Sequence, residues 1–274
     1  MRRLELVRAL LRNETSILRV LALGDAKAAR EFGAGFATRG GVACTSARAF
    51  PIALLHRAIG FGSLVRADQS TLDQVVRHYK TLGLPARVEL DERVAPAIAA
   101  RLLERNGFAR EEFVHHVHVL EAASAPRPVT IGGLTIDRVT ARTAKSFGAA
   151  TARGFAVEGT PLGEFFDRVS VAAVRTATDR VAAFLPRVDG EIAGTGMAFL
   201  SPGVCGLYSG SVFEPFRGRG IQNALIAERV RFGLSRRRRI FVSQTEGDNP
   251  SSHNLREMGF RHLYTATFYL KPTA

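Results

Sequence analysis

Apolar residues recur along this chain with two spacings, and the switch between them marks alternating helices and strands. Leu72 to Leu82 and Ile221 to Leu234 carry the three-to-four-residue spacing of helices. Val88–Leu90, Phe113–Leu120, Ile240–Thr245 and Leu263–Leu270 are short, β-rich runs of the kind strands use. Ala58–Val65 and Cys205–Glu214 also read as strands. Val129–Val139 is a further candidate around Gly132-Gly133, followed by helical stretches at Ala141–Ala156 and Leu162–Val174. Val181–Val188 and Ile192–Leu200 flank Asp189-Gly190, a pair suited to a tight hairpin turn. The order after residue 128 is therefore β-α-α-β-β-β-α-β-α-β. This is a mixed α/β pattern.

The pattern repeats weakly. Leu103-Glu104-Arg105-Asn106-Gly107-Phe108 matches Leu255-Arg256-Glu257-Met258-Gly259-Phe260, and each glycine sits where a left-handed helix cap is expected. Each match is preceded by strand, helix and strand and is followed by another strand. Duplication of one α/β unit accounts for this order. Ala122-Ala123-Ser124-Ala125-Pro126-Arg127-Pro128 is small, Pro-containing and unpatterned, as linkers are. Two domains are expected, residues 1–121 and 129–274, joined by 122–128. Gly33-x-Gly35 and Gly40-Gly41 are expected in a loop after the first helix.

Composition adds limits. At 46% hydrophobic and 23% charged residues, the 274-residue chain can build ordinary cores. No apolar run approaches the roughly 18 residues of a membrane span. Cys44 and Cys205 stand far apart, which argues against a disulfide framework and fits a reducing, cytoplasmic setting. The formal charge is +13, and only Lys27, Lys80, Lys145 and Lys271 among 38 basic residues are lysine. The arginines are scattered and lack the interleaved aromatics of single-strand binders, so nucleic acid is disfavoured as a partner. His116 and His118 share one strand face, but no third ligand lies nearby in sequence, and no metal is expected. A half-exposed strand is the simpler reading. Ser235 to Arg239 reads as a solvated helix end.

The strongest chemical signal is Pro215-Phe216-Arg217-Gly218-Arg219-Gly220-Ile221-Gln222, set between a strand and a helix. Helix-start amides point outward unpaired, the helix dipole adds partial positive charge, and glycines admit a bulky anion. The third glycine of a dinucleotide fingerprint and the Gly-Lys-Ser/Thr ending of a nucleotide loop are both missing.

The element order and this loop resemble the GCN5-related N-acetyltransferase (GNAT) superfamily. Its acyl-CoA signature, Gln/Arg-x-x-Gly-x-Gly/Ala, is matched as Arg217-x-x-Gly220-x-Gln222, with glutamine in place of the last small residue. A polar helix leading into Gly-Phe, Asn249 to Phe260, matches a second motif. The resemblance covers most of residues 129–274. It implies two tandem domains, each a central mixed sheet flanked by helices, with the first degenerate. It further implies acetyl-CoA as donor and an amine as acceptor. The CoA site would comprise Ser211, Val212, Phe213, Arg217, Gly218, Arg219, Gly220, Ile221, Gln222, Ser251 and Asn254.

The proton-transfer groups depart from the resemblance. The usual tyrosine acid falls on Leu255, which holds no proton to give. Tyr264 and Glu246 are the candidate acid and base, with Tyr208, Ser251, Ser252 and Glu214 as alternatives. In the first half the corresponding turn is Arg66-Ala67-Asp68-Gln69-Ser70-Thr71. There Asp68 is expected to cap the helix and occupy the amides an anion would need. The leading expectation is an N-acetyltransferase acting on a primary amine. A non-catalytic acyl-CoA sensor is the alternative that Leu255 suggests, and a basic nucleic-acid module comes third.

Overall fold

The structure is a computed structural model that describes residues 3–91, 93–95 and 97–273. Its elements begin with α1 (Arg3–Leu23), α2 (Ala26–Phe32), β1 (Ala34–Arg39), β2 (Val42–Ala47) and β3 (Ala58–Ile59). Then come α3 (Gln69–Thr81), β4 (Ala86–Asp91), α4 (Ala97–Arg105) and β5 (Ala109–Glu121). After a short 3-10 turn follow β6 (Leu134–Arg138), α5 (Ala144–Gly154), α6 (Pro161–Thr176), β7 (Val181–Val188) and β8 (Glu191–Ile192). The chain continues through β9 (Gly194–Ser201), β10 (Val204–Val212), α7 (Ile221–Ser235), β11 (Ile240–Glu246), α8 (Pro250–Glu257) and β12 (Arg261–Lys271). From β6 onward this is the mixed α/β order read from the sequence, with the short β8 added, whereas β1 and β2 occupy a stretch read there as a loop.

Two compact units result, and neither is continuous in sequence. One comprises Met1–Val117, Thr245–Gly247 and Leu263–Ala274, and the other His118–Gln244 and Asp248–His262. A single cut at 122–128 does not express this division. The reason is visible in the strand register. Ala266–Lys271 of β12 pair antiparallel with Asp91–Ala86 of β4, so the last strand serves the first unit's sheet. Residues 122–124 form the 3-10 turn, and Ala122 N–H donates to Arg239 O at 2.8 Å.

In the first unit, β2, β3 and β4 form the middle of the sheet, with β1 antiparallel to β2 and β3 parallel to β4. Leu72, Val75 and Tyr79 of α3 pack with Leu103 and Phe108 against Val42 and Val88. The sequence overestimates β3, which stops after Ile59. Gly60 and Gly62 take φ of 99° and 77°, and the amides of Ser63, Leu64 and Val65 all turn back to Gly60 O. The early glycines are not one loop either. Gly33 caps α2, Gly35 lies inside β1, and Gly40-Gly41 form the β1–β2 hairpin turn with φ of 55° and 82°. Asp68 does cap α3, accepting from Thr71 N–H at 2.9 Å.

A buried ion cluster sits in this unit. Arg57 Nη2 meets Glu14 Oε1 and Nε meets Glu89 Oε2, each at 2.6 Å. Nη1 donates to Ala53 O and Leu54 O. One guanidinium thus faces two carboxylates. Burial, and then the neighbouring Glu14 charge, push the Glu89 carboxyl up to about 8.

The second unit orders its strands β11-β10-β9-β7-β6, with β8 pairing β7. Leu225, Ile226 and Val230 of α7 pack with Leu207, Phe241 and Leu255 to form its core. Asp189 and Gly190, at φ of 50° and 87°, close the expected hairpin. The first strand of this unit is shorter than its sequence run, since Gly133 at φ 72° turns the chain before Leu134. Gly107 and Gly259, at 79° and 84°, follow α4 and α8 in the left-handed conformation that the matched sequences indicate.

Two outcomes follow for the ion cluster. Arg57→Met leaves Glu14 and Glu89 buried without their guanidinium partner and is expected to cost about 3–5 kcal/mol in urea unfolding. Between about pH 4.5 and about pH 8 the folded protein keeps a Glu89 proton that the unfolded chain has released, so stability falls as pH rises. Glu89→Gln is expected to flatten that fall between about pH 5 and pH 8. An unchanged slope in the variant would assign the pH dependence to other groups.

Candidate functional site

The site in the second unit begins where two strands part company. β10 pairs parallel with β11 only from Val204 through Leu207, opposite Ile240 through Ser243. On its other side β10 stays paired with β9, but with a bulge. Tyr208 faces Met197 and Ser211 faces Thr195, so Ser209 and Gly210 together oppose Gly196 alone. One extra residue bends the strand and redirects its groups. Ser209 takes φ 47°, a conformation that costs a non-glycine residue free energy and needs support. The fully buried Thr195 provides it. Its Oγ1 donates to Ser209 O at 2.9 Å and lies 2.9 Å from Ser211 Oγ.

After β10 the chain makes a 3-10 turn over Glu214–Phe216 and enters α7 through Gly218 and Gly220, with φ of 75° and 74°. Gly220 is the N-cap of α7 and brings no side chain to the helix start. Among the described residues, the N–H groups of Gly218, Arg219 and Gly220 have no acceptor. Arg217 N–H is engaged by Glu214 O, and its Nε donates to Val212 O at 3.2 Å. Asp68 fills the corresponding position of α3 with a carboxylate. The two helix starts therefore differ in sign of charge as well as in shape.

Between the parted strand and the uncapped helix lies a cleft of about 750 Å³, wholly within the second unit. Nine of the eleven residues singled out for donor binding line it: Ser211, Val212, Arg217, Gly218, Gly220, Ile221, Gln222, Ser251 and Asn254. Phe213 and Arg219 do not. Phe213 is buried and its N–H donates to Ala193 O, while Arg153 stacks over its ring at 4.3 Å. Arg219 projects over the Phe216 ring at 5.7 Å. The candidate acid and base are also outside the lining. Glu246 is exposed at the end of β11 and Tyr264 is buried on β12, and both fall in the other compact unit. Of the alternatives, only Ser251 lines the cleft.

The cleft gathers polar groups that sequence reading passed over. His253 Nε2 lies 3.0 Å from Glu257 Oε1, and Asn223 Nδ2 donates to Glu257 Oε2 at 3.0 Å. All three line the cleft. The Asn223 hydrogen bond, followed by the His253 side chain, holds the Glu257 carboxyl below its usual range. The i,i+4 spacing of His253 and Glu257 on a helix was the available signal. Asn249 caps α8 by accepting from Ser252 N–H at 3.0 Å, and Leu255 is buried in the core.

Three other sequence features resolve into structure. Cys205 is buried on β10, and burial pushes its thiol up to about 12, far from a nucleophile's range. Arg236 to Arg239 close α7, with the amides of Arg236 and Arg238 bonded to the last turn's carbonyls. The histidine strand is less exposed than expected. His115 and Val117 to Leu120 are buried, and burial lowers His115 to about 3. Among the described residues no group of three or more His, Cys, Asp or Glu is arranged to hold a metal ion, and no helix is long and apolar enough to cross a membrane.

No family profile matches the chain, and no curated protein matches it. Solved structures do. A GCN5-related N-acetyltransferase from Kribbella flavida superposes with a TM-score of 0.64 at 17% identity, over 88% of this chain and 90% of that one. A tandem GNAT protein from the clavulanic acid biosynthesis pathway gives 0.65 at 12% identity, over 96% and 95%. A GCN5-related N-acetyltransferase from Sphaerobacter thermophilus gives 0.57 at 20% identity, over 69% and 60%. Likeness at these identities speaks to architecture, and it establishes that this chain carries the fold of the tandem GCN5-related N-acetyltransferases.

Proposed function

We propose that the second unit binds an acyl-CoA, with acetyl-CoA as the reference donor, and transfers the acyl group to a primary amine. The observation that carries this reading is the uncapped start of α7 at Gly220, facing a cleft whose other wall is the unpaired stretch of β10. A pyrophosphate satisfies the amides of Gly218 to Gln222 and the positive end of the helix dipole. The pantetheine amides add alongside Tyr208–Val212 as a further strand would. The bulge at Ser209-Gly210 turns a backbone amide toward the thioester carbonyl, where it stabilises developing negative charge.

The amine nitrogen attacks the thioester carbon, the carbon–sulfur bond breaks, and the thiolate takes up a proton. An acceptor that arrives as an ammonium gives up two protons, one before attack and one after. Net release is one proton, because the thiolate keeps the other. His253 and Glu257 line the cleft with Ser251, and these three are the candidates for these transfers in place of Glu246 and Tyr264. The first unit, with Asp68 on its helix start, is proposed to have lost donor binding.

Thermal unfolding with acetyl-CoA tests the reading. At about 100 times its dissociation constant the ligand should add roughly 2.7 kcal/mol of stability. Gly220→Glu puts a carboxylate where the pyrophosphate belongs and is expected to abolish the shift. Arg217→Ala removes a charge-assisted contact of at least about 1.5 kcal/mol, roughly tenfold in affinity. No shift in the wild-type protein would overturn the proposal. A shift without thiol release in the presence of diverse amines would leave a sensor rather than an enzyme. Calorimetric titration is expected to give one equivalent of CoA per chain, and two would refute the loss in the first unit.

A further inference from the structure

The acyl-CoA signature ends on a small residue, and this chain has Gln222 there. Its side chain leaves the first turn of α7 and reaches the bulge of β10. Gln222 Nε2 lies 3.2 Å from where a Cβ on Gly210 would stand, and its Oε1 is buried. Arg229, two turns into α7 and 2% exposed, backs the same point, with Nη1 and Nη2 at 3.1 and 3.2 Å from it. Hydrogen bonds from Nε to Leu225 O and from Nη1 to Tyr208 O anchor that guanidinium. A Cβ is one bond from its Cα, so these side-chain ends press on the backbone of Gly210 itself.

Four glycines line the cleft and gauge its width. At Gly218 an added Cβ would meet nothing within 4 Å, and at Gly220 only Ile131 Cδ1 at 3.5 Å. The other end is packed. A Cβ on Gly154 would stand 2.1 Å from Ser211 Oγ, and one on Gly210 would meet the three nitrogens of Gln222 and Arg229. The cleft is therefore roomy at the loop and tight at the bulge. Gly210 is exposed and lines the cleft, yet it is closed on the side of α7. Of the two α7 side chains that close it, Gln222 alone lines the cleft. A pyrophosphate at the start of α7 and a thioester carbonyl at the bulge put the first acyl carbons beside Gly210. Open space there would reward each added methylene with burial, whereas a packed wall penalises it.

We propose that Gln222 closes the acyl end of the cleft and excludes donors with chains as long as hexanoyl, leaving acetyl and similarly short acyl groups. This rests on the acyl-CoA reading of the cleft. The residue that departs from the signature thereby becomes the one that sets acyl length. A small residue at 222 would leave Gly210 bounded on that side by Arg229, which lies behind the cleft wall. The restriction is one of bulk, so a side chain of similar length preserves it and a short one removes it.

Isothermal titration of the full chain with acetyl-CoA and hexanoyl-CoA tests it, in the wild-type protein, Gln222→Ala and Gln222→Met. The wild type is expected to bind acetyl-CoA about tenfold more tightly, a difference of about 1.4 kcal/mol. In Gln222→Ala the ratio is expected to fall to about one or to invert, and in Gln222→Met to stay near the wild-type value. Should Gln222→Ala fail to fold, as read by circular dichroism, Gln222→Ser is equally short and takes its place. Hexanoyl-CoA binding as tight as acetyl-CoA in the wild type overturns the proposal, and so does a preference that survives in the folded short variant. Loss of the preference in Gln222→Met overturns it as well, since bulk is kept there. Acetyl-CoA binding without preference leaves the acyl-CoA reading standing. Failure of both thioesters to bind removes that reading and the acyl limit together.

Discussion

The second unit depends on one missing set of hydrogen bonds. β10 and β11 pair for four residues and then separate at Leu207, leaving Tyr208 to Val212 bonded on one side only. Backbone groups without partners are costly unless solvent or a ligand meets them. The fold maintains this opening by several independent means. Thr195 holds the bulge, Phe213 N–H returns to Ala193, and Gly154 allows α5 to approach Ser211 so closely that a Cβ there would stand 2.1 Å from Ser211 Oγ. The uncapped α7 start borders the same opening. A strand edge paired on one side and an uncapped helix start thus share one cleft, which suits a long, flexible, anionic ligand with amide groups.

The two units make a controlled comparison of helix starts. Asp68 on α3 accepts from Thr71 N–H and offers negative charge, whereas Gly220 on α7 offers open amides. The difference lies in one residue's side chain at a matched place. It separates a helix start stabilised by its own sequence from one left for a ligand.

Much of this was readable in the sequence because it is local. Gly218 and Gly220 announce a left-handed turn, Asp68 announces a cap, and Gly107 and Gly259 announce helix ends, all through the backbone conformation of single residues. What was not readable is non-local. The β12–β4 pairing joins residues 175 to 185 positions apart, and no spacing rule reaches that far. Ala58–Val65 has strand composition, yet Gly60 collects three amides and ends the strand. Arg229, on α7, reads in the sequence as one more solvated arginine among many. Only Gly196 and Gly210 on neighbouring strands show that it is buried. His253 and Glu257 were hidden in a motif read for its helix and its Gly-Phe ending, and the cleft alone gives them a common direction.

The pairing of β12 with β4 also bears on how the protein comes into being. Chains emerge from the ribosome in order, and domains generally fold as they are completed. Here the first-made unit lacks a strand until Ala266–Lys271 have been synthesised. The second unit's β6 to β11 and α5 to α8 all emerge before that strand. The nascent protein must therefore carry an open edge on β4 through most of its synthesis. The half encoded first is the half finished last.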